Sequence, residues 1–238
     1  MLNRFFTKKF WLRVLKILIG AFAVLLLWVI LLKWIPIYFT PTMFFRSMEA
    51  YFAGKDSKIY YEWVNYSQVS DFMKVAVVAS EDQRFPTHSG IDFAAVQVAL
   101  DESKKTGKTR GASTISQQVA KNVFLWQGGG WFRKGLEVPL TYLIELIWGK
   151  QRILEVYLNI AETGPQTFGV QAAAKRFYKK PAKNLNAYEA ATIAAVLPNP
   201  QNWLIQQPNG IVIYRRNHTL YQMQLLGGYQ YLQNLRKF

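Results

Sequence analysis

Ile17 to Leu32 is an unbroken uncharged apolar run, and Trp11-Leu12 and Trp34-Ile35 extend it past Lys16 and Lys33. About 20 apolar residues in a helix span the hydrocarbon core of a bilayer, and lysines near the ends can lift their amines to the headgroups. Arg4, Lys8, Lys9, Arg13 and Lys16 precede the run with no acidic residue among them. Basic residues are retained on the cytoplasmic side, so the N-terminus is expected in the cytoplasm and everything after Lys33 outside. The competing reading is a cleaved signal peptide. It would need a small-x-small site after the run, whereas Trp34, Ile35, Pro36, Ile37, Tyr38 and Phe39 continue it with interfacial aromatics. The expectation is a basic tail over residues 1–10, a single-pass anchor over 11–35 and one exported domain over 36–238.

Half of the 238 residues are hydrophobic, enough for a sizeable core and too many for global disorder. Cysteine is absent, which removes disulfides, thiol nucleophiles and cysteine metal sites. Six of the 29 basic residues lie before residue 34 with no acid beside them, leaving 23 against 14 acids in the exported part. A membrane-tethered domain with that excess is suited to anionic headgroups or a phosphorylated substrate. Export and the lack of a recognition motif argue against nucleic acid as a partner.

Beyond the anchor, residues 36–48 read as an irregular apolar juxtamembrane piece or, equally, as the first packed segment of the domain. From Asp71 the texture is helical: a helix from Asp71 ends near Glu81 before Pro86 and Gly90, and Asp92 caps another from Phe93 to about Lys105. Polar residues with Gly107 and Gly111 make a loop. Ser113 or Thr114 then caps a helix that stops in the turn 127–130. Further helices are expected from about Arg133 to Trp148, Lys150 to Ala161, Ala187 to Leu197 and Tyr214 to Leu225. No strand-like alternation competes, so the domain should be mainly α-helical.

Glu81 sits at the end of an apolar helix beside Asp82. Partial desolvation and a neighbouring carboxylate both raise a pKa toward the range of a general base. The pair alone reads more readily as a surface feature. His88 has no metal-ligand spacing around it and fits a hydrogen-bonding residue before Gly90. On the helix starting near Ser113, Thr114, Gln118 and Lys121 share one face, while Ile115, Val119 and Val123 share another and can bury. Free N–H groups at that helix start, with a lysine two turns on, suit a phosphate. Arg133, Lys134 and Glu137 alone read as an intrahelical ion pair. Lys150, Glu155 and Asn159 read first as structural.

Taken in order, these clusters resemble glycosyltransferase family 51, the peptidoglycan polymerases. The matching pieces are Glu81-Asp82-x-x-Phe85-x-x-His88-x-Gly90-x-Asp92, Gly111-x-Ser113-Thr114-x-x-Gln117-Gln118-x-x-Lys121-Asn122, Arg133-Lys134-x-x-Glu137 and Lys150-x-x-Ile153-x-Glu155-x-Tyr157-x-Asn159. Residues 172–200 resemble the family's last region. One anchor and one domain, with no room for a transpeptidase, are similar to the monofunctional members.

The resemblance implies a mainly α, lysozyme-like, two-lobed glycosyltransferase domain after an N-terminal transmembrane helix, periplasmic and held at the bacterial inner membrane. It implies polymerisation of lipid II into β-1,4 glycan strands with inversion and release of undecaprenyl pyrophosphate. Glu81 is then the base for the acceptor hydroxyl, and Glu137 assists the departing pyrophosphate, a step a divalent cation such as magnesium can share. No tightly bound cofactor is implied. Ser113, Thr114, Gln118, Lys121, Arg133 and Lys134 line the donor path, Phe85, His88 and Asn122 shape the cleft, and Glu155 and Asn159 hold the domain together. Implied partners are lipid II, the growing strand, the bilayer and other wall-synthesis and division proteins. The sequence departs from the family pattern at Gly129, where an arginine is common, and Pro139 suggests that its helix starts late or bends. Two other readings stay open: a lysozyme-like or lytic enzyme, and a non-catalytic scaffold for wall synthesis.

Overall fold

Local capping chemistry sets several helix starts in the computed structural model, which describes residues 8–107, 111–233 and 235. The chain divides into two units, Met1–Pro36 and Ile37–Phe238. The first holds α1 (Lys8–Leu31), long and apolar enough to cross a membrane. At about 1.5 Å per residue its 24 residues exceed the usual 30 Å hydrocarbon thickness. Residues 1–7 of the expected basic tail, Arg4 among them, and 108–110 of the expected loop lie outside the described residues.

The second unit is mostly helical. Its first helix, α2 (Pro41–Phe52), replaces the irregular piece expected there. Pro41 occupies the first helical turn, where a missing N–H costs nothing, and the Thr40 hydroxyl accepts from Met43 N. Pro41 thus starts a helix where an irregular piece was one of the two expectations.

α3 (Asp71–Glu81) and α8 (Ala187–Val196) pack together and against α9 (Gly210–Leu225). Every residue from Met73 to Ala79 is buried, as is every residue from Ala190 to Val196. A helix apolar all round belongs in a core, and Glu81 leaves that core at its last turn. A second group pairs α5 (Ile115–Phe124) with α6 (Gly130–Ile160). Ile115, Val119 and Val123 form the buried stripe of α5 that their spacing predicts. α6 is broken at Gly149, whose φ of 72° leaves the helical region, so the two expected helices meet there. α6 begins at Gly130, well before Pro139, so Pro139 does not delay its start. α4 (Phe93–Thr106) runs from the Asp92 cap to a left-handed Gly107.

A small sheet was not foreseen. β1 (Tyr60–Tyr61) pairs parallel with β3 (Thr167–Phe168), which pairs antiparallel with β2 (Glu162–Gly164). Strands of two or three residues are too short to show alternation. α7 (Val170–Tyr178) follows β3.

Asn159 ties α6 to the segment before α3. Its side chain is nearly inaccessible, accepting from Val64 N at 2.8 Å and donating to Val64 O at 2.9 Å. Glu155, one turn earlier, accepts from Tyr66 N at 2.7 Å. These contacts fit the structural part expected of both residues. Asn159→Ala would strand two buried backbone groups, at about 1–3 kcal/mol each. We expect a loss of about 2–4 kcal/mol in urea unfolding of the exported domain.

Candidate active site

Glu81 reaches the surface of a cavity of about 390 Å³ whose walls include Asp82, Arg84, Val98, Ser113 and Thr114. Only 11% of its side chain is exposed. Gln118 of α5 donates to one carboxylate oxygen at 3.1 Å, and Arg215 of α9 lies 3.7 Å from the other. Tyr157 donates to Gln118 at 3.2 Å and so fixes the amide that faces Glu81. Burial pushes the Glu81 pKa up, while Gln118, Arg215 and Ser80 oppose it and Asp82 adds to it. Glu81 is thus a desolvated carboxylate with a cation close by, suited to accept a proton.

The adjacent Asp82 points into the protein and is buried. One of its oxygens accepts from Ile115 N at 3.0 Å, at the start of α5. Both lie within 3.0 Å of His88 Nε2. His88 Nδ1 accepts from Gly90 N at 3.1 Å, which assigns the ring proton to Nε2 and makes it a donor to Asp82. Lys150 lies 3.5 Å from that Nδ1 and pairs with Glu145 at 2.6 Å. Burial lowers the Lys150 pKa, with Glu145 opposing. Ser116 donates to the same Glu145, joining α5 to α6.

α5 connects two regions. Its N-cap is Thr114, whose hydroxyl accepts from Gln117 N and donates to the Gly90 carbonyl, while the Thr114 N–H donates to the Gln117 side-chain oxygen. Gln118 faces Glu81, and Lys121 follows about 4.5 Å further along the axis. Burial lowers the Lys121 pKa, and Arg133, Lys134 and Arg46 lower it further while Glu137 raises it. The buried Glu137 pairs with Arg133 and, at 2.5 Å, with Lys134. Lys134 also lies 3.4 Å from the exposed Ser113 hydroxyl at the cavity rim.

Several sequence expectations change here. Phe85 is fully buried, with Lys150 4.5 Å above its ring, so it is core and no cleft wall. His88 is buried in the Asp82 network, and its ring nitrogens are spent there. Thr114 is buried with its hydroxyl fully engaged, which leaves Ser113 as the accessible donor of the pair. Asn122 accepts from Thr42 and Gln127 and braces α2. Gln118, Lys121, Arg133 and Lys134 do gather as expected, with Glu137 beneath the last two. Sequence reading passed over Arg215 and took Asp82 only as a charge beside Glu81. The Arg215-Arg216 pair was the available signal for the first, but α9 gave no hint that it ends beside Glu81.

Gly129 stands where an arginine is common in the family. Its φ is +81°, and a Cβ there would lie 2.8 Å from Trp126 Nε1. A larger residue is excluded by both conformation and space. A divalent cation at Glu137 does not fit the donors present, because two basic side chains already hold that carboxylate. Among the described residues no three acidic or histidine side chains cluster for a metal.

Fold and site together define a mainly helical domain with a desolvated carboxylate at a cavity and a cluster of cations further along α5. The transglycosylase family model matches residues 49–224, and the chain belongs to that family. It is 48% identical over 200 residues to the biosynthetic peptidoglycan transglycosylase of Pasteurella multocida (strain Pm70), covering 84% of this chain and 81% of the relative. It is also 48% identical over 219 residues to the protein of that name from Yersinia pseudotuberculosis (serotype O:3, strain YPIII), covering 90% and 91%.

A carboxylate whose pKa is raised is protonated, and useless as a base, up to a higher pH. The acid limb of kcat/KM should therefore lie above the ordinary carboxylate range of about 4.3. Arg215→Met should move it higher still, since Arg215 favours the charged form; a pH–rate series on both proteins checks this. The same shift means that ionised Glu81 opposes folding above its unfolded pKa, an effect absent at lower pH. Glu81→Gln should accordingly melt no lower than the wild type at pH 7 by calorimetry.

Proposed function

We propose that this chain polymerises lipid II into β-1,4 glycan strands in cell wall synthesis, releasing undecaprenyl pyrophosphate. One observation carries the reading: α5 presents Gln118 to a buried carboxylate and, one turn on, Lys121 to a pair of further cations. A base beside an anion site serves a transfer in which a hydroxyl attacks and a pyrophosphate leaves. Glu81 takes the proton of the acceptor 4-hydroxyl as its oxygen bonds to the donor's anomeric carbon. The bond from that carbon to the pyrophosphate oxygen breaks with inversion, and the anion stays with Lys121, Arg133, Lys134 and Ser113. Pyrophosphate is already a good leaving group, so oriented cations matter more there than a strong acid. Glu137 works through the cations it holds, with no step assigned to a metal.

The helix α1 serves as a single-pass anchor in the inner membrane, N-terminus in the cytoplasm, so that the domain meets a lipid-bound substrate from the periplasmic side. Lipid II and the growing strand are its substrates; other wall-synthesis and division proteins are proposed partners. A lytic reading has one observation in its favour, since a raised carboxylate pKa also suits the acid that cleaves a glycosidic bond. It leaves the cation cluster without a task.

The purified protein should convert labelled lipid II into strands and leave preformed strands intact; the opposite pair of results would favour the lytic reading. Glu81→Gln should abolish polymer while the protein stays folded, and normal polymer would remove Glu81 as the base. Lys121→Ala should raise the donor KM about 10–100-fold, the scale of a lost hydrogen bond to a charged group. Unchanged donor affinity would count against the pyrophosphate assignment.

A further inference from the structure

The chain after α9 folds back onto the acidic turn. Gly227 and Gly228, with φ of +78° and +66°, close α9, their N–H groups returning to Gln224 O at 3.0 Å and Met223 O at 3.1 Å. The chain then reverses into the short α10 (Gln230–Gln233). Leu232 and Leu235 are each 2% exposed and fasten it. Tyr229 places its ring 5.4 Å from the Lys74 amine, which also lies 4.4 Å from Tyr66 and pairs with Asp71 at 2.8 Å. Tyr231 donates from its hydroxyl to the Gln83 carbonyl at 2.5 Å. The segment thus holds the helix that carries Glu81 at two places, Lys74 within α3 and the turn just after Glu81.

We infer that residues 227–233, together with Leu235, are a strap that positions the acidic turn, with Tyr231 as a positioning residue for the transfer. The inference rests on the function proposed above. Anchorage of the strap itself is supplied by Tyr229, Leu232 and Leu235. The Tyr231 hydroxyl adds a bond to the backbone one residue after Asp82, the group that locks the turn to α5 and His88. Gln83 further returns its side chain to Ala79 O at 3.1 Å, so a fixed Gln83 carbonyl restrains the helix end around Glu81. Reaction at a base depends on sub-ångström placement, and a displacement of about 1 Å can cost 100-fold in rate. The strap lies beyond the 49–224 stretch matched by the family model, so it tunes the site without belonging to that motif set.

Tyr231→Phe in the full-length protein removes one oxygen and keeps the ring. On labelled lipid II we expect kcat to fall about 3–10-fold with donor KM unchanged within about twofold, the pattern of lost transition-state positioning. Backbone amides of residues 82–90 should exchange with deuterium faster, while the melting temperature drops by no more than about 4 °C. Unchanged kcat with unchanged exchange in that turn would overturn the inference, as would a loss confined to KM. If the wild-type chain itself makes no polymer, the proposed function falls. Even then, unchanged amide exchange in Tyr231→Phe would separately reject the strap, and faster exchange confined to the turn would support it.

Discussion

The buried carboxylate of Asp82 is the contact on which the site depends. Its two oxygens join three pieces of chain that are remote in sequence: the end of α3, the His88 turn and the first N–H of α5. A carboxylate at a helix start is favoured by the unpaired N–H groups and the positive end of the helix dipole. Here that preference fixes where α5 begins relative to Glu81, and so where Gln118 and Lys121 fall. A buried network is strong only when every member is satisfied. His88 meets this condition by donating from one nitrogen and accepting Gly90 N–H with the other.

Two adjacent carboxylates therefore serve opposite ends. Asp82 turns inward and is consumed by hydrogen bonds. Glu81, facing the cavity, keeps a capacity to take up a proton because burial disfavours its charge. Gln118 and Arg215 limit that shift, because a donated hydrogen bond at 3.1 Å and a cation at 3.7 Å both favour the charged form. The Glu81 carboxylate thus draws on three helices: α3 carries it, α5 donates to it and α9 brings the balancing charge.

The helices were legible because their signals are local. Asp92 and Thr114 cap as their types dictate, and the Ile115, Val119, Val123 spacing buries as a helical stripe should. α2 was missed because Pro41 and a run of aromatics look irregular until Thr40 is recognised as a cap. The sheet was missed because its strands are too short to carry a period. In the candidate site, motif order singled out Glu81, Gln118, Lys121 and the Arg133-Lys134-Glu137 group. It could not separate residues that face the cleft from those that support it. Phe85, His88 and Thr114 belong to the supporting set, which burial and bond saturation reveal and spacing does not. Arg215 was invisible because its partner lies 134 positions earlier, a distance that only packing can close.

The cation cluster explains why the arginine missing at position 129 need not disable the donor side. Gly129 takes a left-handed conformation with Trp126 against it, and from there the chain enters α6 so that Arg133 leans back on the Gly128 carbonyl and down to Glu137. Lys121, Arg133 and Lys134 repel one another, and a single buried carboxylate offsets only part of that charge. Burial and the neighbouring cations together make the Lys121 amine harder to keep charged. A ligand with two or more negative charges supplies the missing counter-charge and is held more firmly than a monoanion. Under the proposed function, a pyrophosphate meets that unbalanced charge without requiring a dedicated arginine at Gly129.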